Sequence, residues 1–449
     1  RHKNNVSKTS ETTLITHNLL LGYKDNSELI DSIQFTDNIW YIGIECGEIP
    51  SKRPPFQGHI NTANITTTDL ENVDHLIMGF MLYEPQIIDD FTDWVKDTVN
   101  YLHQSKMFPN LKNIYILYSS VTVNVAKLPD HYMIYGHQPR YYILRSDGTE
   151  EKSVGLDPNR NWIDTLANPK AIWLVGDVSN RVHKLPLLYK FVTTNSLDSL
   201  DYSLTSALND SHMGDPLYKT DPLRTESIIH TFKQVHDMDI DYDQLIEIFN
   251  SLVKTLPGDE WSNLIQAGKH SFDLANYAFP KEWNDATLAI MPETWFDHPD
   301  RNTRHFWESN TYPTTEKTWK PIATKKPMIG ISKFDQQEKT LESLGYRTFR
   351  KYTTRPELLD NEHDMKVYID VAHERIMSFL SQCKNYRQDI QADIEYNYQH
   401  HQRVIKDEWD LLYKSCPPLK HVDKTKFLRL FTIPACSTIN LDTLPDLLS

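Results

Sequence analysis

The stretch TEKTWKPIATKKPMIGIS, from Thr315 to Ser332, decides how the rest of the chain is read. Thr314 or Thr315 is a good helix N-cap, and Glu316 in the first turn complements the helix dipole. Apolar and lysine residues alternate at helical spacing until Lys325, Lys326 and Pro327 end the pattern. Met328 to Ser332 then reads as a short buried strand. Upstream, ATLAIMPETWF (Ala286 to Phe296) is strand-like. Downstream, FDQQEKTLESLG (Phe334 to Gly345) is helical with Gly345 as C-cap, and YRTF reads as another short strand. Strand, helix, strand, helix, strand is a βαβαβ unit, which predicts a parallel sheet.

The same alternation extends towards the N-terminus. NIWYIGIEC (Asn38 to Cys46), HLIMGFMLYEP (His75 to Pro85), NIYILYSSVTVNV (Asn113 to Val125), RYYILRS and KAIWLVGDVSN (Lys170 to Asn180) are apolar runs of strand type. FTDWVKDTVNYLHQ (Phe91 to Gln104) has helical spacing. HKLPLLYKFV, TESIIHTFKQV, DYDQLIEIFNSLVKTL and DEWSNLIQAGKHSFDLANYAF are further helical segments, and Ser203 to Thr225 is loop-like. From Asp364 to about Tyr413 the pattern is one long helix or a bent pair. Its apolar stripe runs through Met365, Tyr368, Ala372, Ile376, Phe379, Cys383, Ile390 and Ile394. The expected fold class is α/β. The expected organisation is three parts: residues 1–183, residues 184–360, and a C-terminal helical extension, 361–449, packing across the other two.

Bulk properties narrow the function. The 449 residues are 39% hydrophobic, 24% charged and 11% aromatic, the profile of a globular chain with sizeable cores. No apolar run reaches the length of a membrane span. The polar opening RHKNNVSKTSETTLITH has no apolar segment of secretory type. Cys46, Cys383, Cys416 and Cys436 are scattered without metal-like pairing, which predicts a reducing compartment and a cytoplasmic protein. The net charge of −14 argues against wholesale nucleic-acid binding, although one basic face remains compatible with it. There is no Walker sequence and no Gly-x-Ser-x-Gly.

Lys317 is the anomaly. A cation at a helix N-terminus is unfavourable unless an anion such as a phosphate sits there too. Glu316 beside it suits hydroxyl groups of a sugar or ribose. The plainer reading is a solvated Glu-Lys pair on a surface helix. The motif set Pro292-Glu293-Thr294, Thr315-Glu316-Lys317, Pro327-Met328-Ile329-Gly330 and LESLGYRTF resembles the C-terminal half of GT-B glycosyltransferases of the fucosyltransferase-like group. Such proteins are known from phages, large viruses and marine bacteria. The resemblance covers well under a quarter of the chain. Trp319 and Pro321 depart from it, since small residues are usual there.

What the resemblance implies is two Rossmann-like domains facing across a cleft. The 184–360 part would bind a nucleotide-sugar donor, UDP- or GDP-linked, without a metal or other cofactor. Glu316 would hold the ribose. Lys317 and the helix N-terminus would hold the diphosphate, with Thr315 at the cap, Lys320 adding charge and Glu293 contacting ribose or sugar. The 1–183 part would hold the acceptor and a catalytic base, for which Glu45, Glu84 and Asp177 follow apolar runs. The acceptor would be a glycan or a hydroxylated base in phage DNA. If the protein is viral, its compartment would be the host cytoplasm. The acids of HDMDIDYDQL (Asp237, Asp239, Asp241, Asp243) raise a metal-site reading. They precede a helix, where aspartate is a good N-cap. His400 and His401 are adjacent on a helix and cannot chelate one ion together. A non-catalytic protein that assembles through its long helix is the alternative function.

Overall fold

A computed structural model of the protein describes residues 29–36, 39–46, 72–82, 109–118, 133–136, 157, 160–176, 182–204, 222–254, 256, 279–292, 316–360, 364–415, 417 and 420. The segments expected to be helical at Phe91 to Gln104 and strand-like at RYYILRS lie outside these residues, as does nearly all of DEWSNLIQAGKHSFDLANYAF. Contacts divide the chain into two units. One comprises Arg1–Pro139, Arg304–Ser309 and Asp407–Pro434, the other Arg140–Thr303, Asn310–Lys406 and Ala435–Ser449.

The first unit holds a five-stranded sheet in sequential order: β1 (Leu29–Thr36), β2 (Ile39–Cys46), β3 (His75–Leu82), β4 (Asn113–Tyr118) and β5 (Met133–Gly136). β1 is antiparallel to β2, and the remaining pairs are parallel. β2, β3 and β4 fall on the apolar runs named above. β1 and β5 do not, because LIDSIQFT mixes polar residues into the run and MIYG is too short to register.

The second unit holds a fully parallel sheet of order β7-β6-β8-β9, formed by β6 (Ala171–Gly176), β7 (Leu200–Leu204), β8 (Leu288–Pro292) and β9 (Met328–Ile331). Its helices are α1 (Lys184–Thr193), α2 (Pro222–His236), α3 (Tyr242–Leu252), α4 (Lys281–Asp285), α5 (Glu316–Ala323), α6 (Gln336–Ser343) and α7 (Met365–Gln382). A further helix, α8, spans Arg387–Ser415.

Every residue of β8 and β9 is buried, as strands covered on both faces require. Side chains alternate between two cores. Ala171, Trp173, Val175, Leu288, Ile290, Ile329 and Ile331 join one cluster with residues of α1, α2, α3 and α7. Ile172, Ala289, Met291 and Met328 join the other, with Trp283, Trp319 and Leu341 from α4, α5 and α6. The stripe expected between residues 365 and 394 is part of the first core: Tyr368, Ala372, Ile376, Phe379, Cys383, Ile390 and Ile394 all lie in it. It is carried by a bent pair, since α7 ends at Gln382 and α8 begins at Arg387.

Two local expectations need correction. YRTF is not a strand. The N–H of Arg347 donates to Asn397 Oδ1 at 2.8 Å, and Asn397 Nδ2 donates back to the Arg347 carbonyl at 2.8 Å. A side-chain amide from α8 thus supplies the bonds a neighbouring strand would have made. The helix expected from Phe334 begins two residues later, at Gln336, after left-handed backbone at Phe334 (φ 54°) and Asp335 (φ 49°). Its end is as expected, with Gly345 at φ 84°.

Candidate functional site

In an open parallel sheet, ligands gather outside the carboxyl ends of the strands where the strand order reverses. Here that point lies between β6 and β8, since the order is β7-β6-β8-β9. β6 ends at Gly176, one residue before Asp177, and β8 ends at Pro292, one residue before Glu293. Asp177, Glu293, Thr315 and Glu84 themselves fall outside the described residues. Glu45 is the penultimate residue of β2, paired in register with Met81 of the parallel strand β3, near the carboxyl end of the first unit's sheet.

Glu316 and Lys317 are the first two residues of α5. This helix connects β8 to β9, two adjacent parallel strands, so its N-terminus lies at the carboxyl pole of the sheet. Pro321 has no N–H, so the helical bond that would reach back four residues to the Lys317 carbonyl is not made. Lys320 is buried, with its ammonium 4.2 Å from the ring centroid of Phe279 and 5.4 Å from that of Trp283. Trp319 is fully buried and stacks on His401 at 5.6 Å. His401 Nδ1 also lies 3.0 Å from the Tyr346 hydroxyl, so this histidine fastens α8 to the core beneath α5.

The first turn of α5 is fixed to the first turn of α6. Gln337 Nε2 donates to Thr318 Oγ1 at 2.8 Å, and Gln337 Oε1 accepts from the Ile331 N–H at 3.2 Å. Ser332 Oγ accepts the Gln337 N–H at 2.9 Å. Glu338 accepts from the Gly330 N–H at 3.0 Å. Two helix N-termini, each carrying roughly half a positive charge, therefore stand side by side where β9 ends. Gly330 makes this possible: a Cβ there would sit 2.6 Å from Gln337 Oε1.

The turn between β9 and α6 carries the left-handed pair Phe334 and Asp335, a conformation costing on the order of 1–3 kcal/mol per non-glycine residue. Three sets of bonds hold it. Arg375 donates to both Asp335 oxygens at 2.8 Å, the Leu359 N–H donates to Asp335 Oδ2 at 2.9 Å, and the Phe334 N–H donates to the Tyr368 hydroxyl at 3.0 Å. Beside this pair Glu338 is buried, and desolvation pushes its carboxyl up to about 7, against the pull of the Gly330 N–H and Arg375. Among the described residues its Oε2 has no hydrogen-bond partner. Nothing in QQEKTL distinguishes Glu338 from an acid on a solvated helix, so the sequence alone does not single it out.

The aspartate string resolves into local structure. Asp241 caps α3, accepting from the Gln244 N–H at 2.9 Å while Gln244 Oε1 accepts from the Asp241 N–H at 2.9 Å. Asp239 pairs with Lys233. No helix among the described residues is long and apolar enough to cross a membrane.

No family model matches the chain, and no curated protein matches it significantly. A solved structure with some likeness is an alpha,alpha-trehalose-phosphate synthase (UDP-forming) from Burkholderia vietnamiensis. The identity is 12% and the TM-score 0.30, over 76% of this chain and 68% of that one. A likeness of that size establishes no common activity.

Proposed function

We propose that the protein is a glycosyltransferase that moves a sugar from a nucleotide diphosphate donor to an acceptor hydroxyl. The observation that carries this reading is the position of Glu316 and Lys317 as the opening residues of a helix between two adjacent parallel strands. At that pole a lysine that is unfavourable for the bare helix becomes favourable once a diphosphate is bound. Glu316 would accept hydrogen bonds from the ribose hydroxyls. Lys317 and the N-terminal end of α5 would neutralise the diphosphate as the bond from the sugar to phosphate oxygen breaks. Thr315 would cap the helix, and Glu293 would meet the ribose or sugar. Glu45, Glu84 and Asp177 are the candidates to take the acceptor proton as its oxygen bonds to the sugar.

The donor would be a UDP- or GDP-sugar, bound without a metal. A net charge of −14 favours a glycan acceptor over DNA. Thermal-shift measurements across UDP- and GDP-sugars test the reading. At least one donor should stabilise the protein, and Glu316→Ala or Lys317→Ala should abolish both that shift and turnover while leaving the unliganded melting temperature near wild type. Wild-type turnover in both variants would overturn the assignment. No stabilisation by any donor would favour a non-catalytic role.

A further inference from the structure

At the opposite, amino-terminal pole of the same sheet lies a pocket of about 380 Å³, lined in part by Arg160, Trp283, Lys325, Lys326, Gln391 and Glu395. The volume falls in the range of small-molecule sites. Its position follows from the chain. Lys326 lies two residues before β9, and Trp283 belongs to α4 just before β8. The wall is polar, completed by Asn161, Asn284 and Thr324.

Three cationic side chains, Arg160, Lys325 and Lys326, line the pocket against two carboxylates, Asp157 and Glu395. Arg160 pairs with Asp285 at 2.6 Å and Lys325 with Glu395 at 2.9 Å. Lys326 is only 7% exposed, donates to the Ala286 carbonyl and lies 5.7 Å from the Trp283 ring centroid. No carboxylate among the described residues stands within ion-pair distance of it, and Asp285 acts on it only at longer range. A buried ammonium beside a polar cavity needs a counter-ion or must give up its proton.

We propose that this pocket binds a small oxyanion, the carboxylate, sulfate or phosphate group of a polar metabolite, with Lys326 as its counter-ion and Arg160 and Lys325 at its rim. The site is separate from the donor pole. Without the anion, burial brings the lysine down to about 7, so above neutrality it is mostly an uncharged amine. A bound anion favours the charged form. Binding above pH 7 therefore takes up a proton, and affinity falls with rising pH. The other charged groups lining the pocket are Asp157, Arg160, Lys325 and Glu395, with Asp285 behind Arg160. The hydrogen bond from Lys325 holds the Glu395 carboxyl below its ordinary range, so it stays ionised from pH 6 to 8 and Lys326 sets the dependence.

Titration calorimetry with sulfate and with gluconate, both fully ionised from pH 6 to 8, tests this. Each run is made in two buffers of different ionisation enthalpy. Affinity should be about tenfold higher at pH 6 than at pH 8, because the charged fraction of a group titrating near 7 changes by about that factor. Close to one proton should be taken up per anion at pH 8. Lys326→Met should remove the binding. Preference for gluconate would point to a metabolite and preference for sulfate to an inorganic ion. Absence of heat with both anions would overturn the proposal. So would pH-independent binding without proton uptake by the wild-type protein, a readout that does not depend on the variant folding, or unchanged affinity in folded Lys326→Met.

Discussion

Replacing Gly330 with alanine probes the link between strand β9 and the two helix N-termini. The backbone there is not left-handed, so the substitution acts through space rather than through φ. The added methyl would lie 2.6 Å from Gln337 Oε1, 2.8 Å from its Cδ and 3.2 Å from its Cγ. Gln337 is fully buried and cannot swing into solvent. It must give up its bonds to the Ile331 N–H and to Thr318. Each is worth about 1 kcal/mol net, and a stranded buried amide costs about 1–3 kcal/mol more. The smaller unfolded-state entropy of alanine returns about 0.4–1 kcal/mol. The expected loss is about 2–4 kcal/mol, read as a lower urea midpoint at unchanged slope. Gln337→Ala removes the obstacle, so the double variant should be no less stable than Gln337→Ala alone, a coupling of about 2–4 kcal/mol. Additive losses, or a Gly330→Ala variant within about 0.5 kcal/mol of wild type, would refute this account of the glycine.

Two further outcomes concern the same corner of the fold, with an exposed pair elsewhere as the contrast. Asp335→Asn breaks one side of the buried pair with Arg375 and should cost about 3–5 kcal/mol, measurable by chemical unfolding, while Lys233→Ala at the exposed Asp239 pair should change stability by under about 1 kcal/mol. Glu338 titrates near 7 in the folded chain against an ordinary 4.5, so the folded state holds the extra proton between those values. Stability should fall as pH rises through that window, by up to about 3 kcal/mol at about 1.4 kcal/mol per pKa unit. Glu338→Gln should flatten that part of the pH profile, and an unchanged slope would show that the carboxyl titrates normally.

The parallel sheet of the second unit is legible in the sequence because its strands are buried on both faces. Runs such as KAIWLVG and ATLAIMP need no alternation to be recognised. The stripe from Met365 to Ile394 is legible for the complementary reason, since helical spacing shows which face meets the core. What escapes is structure made by side chains acting as backbone. YRTF has strand composition, yet Asn397, fifty residues away, supplies its pairing. The left-handed Phe334 and Asp335 carry no glycine to announce them and depend on Arg375 from α7. The Glu316-Lys317 pair was visible as a charge out of place, and its helix and pole follow from the βαβ order. Glu338 and Lys326 are not visible as perturbed groups, because burial is the main cause of their shifts and burial is a property of the fold.

The bonds from Gln337 and Glu338 to β9 have a consequence for the whole molecule. β9 is the outermost described strand of its sheet, and an outer strand offers its amides to any extended chain that meets it. Here the N–H groups of Gly330 and Ile331 are already taken by α6. An extended chain that meets β9 finds these two amides already committed, so the strand has that much less to offer a second molecule.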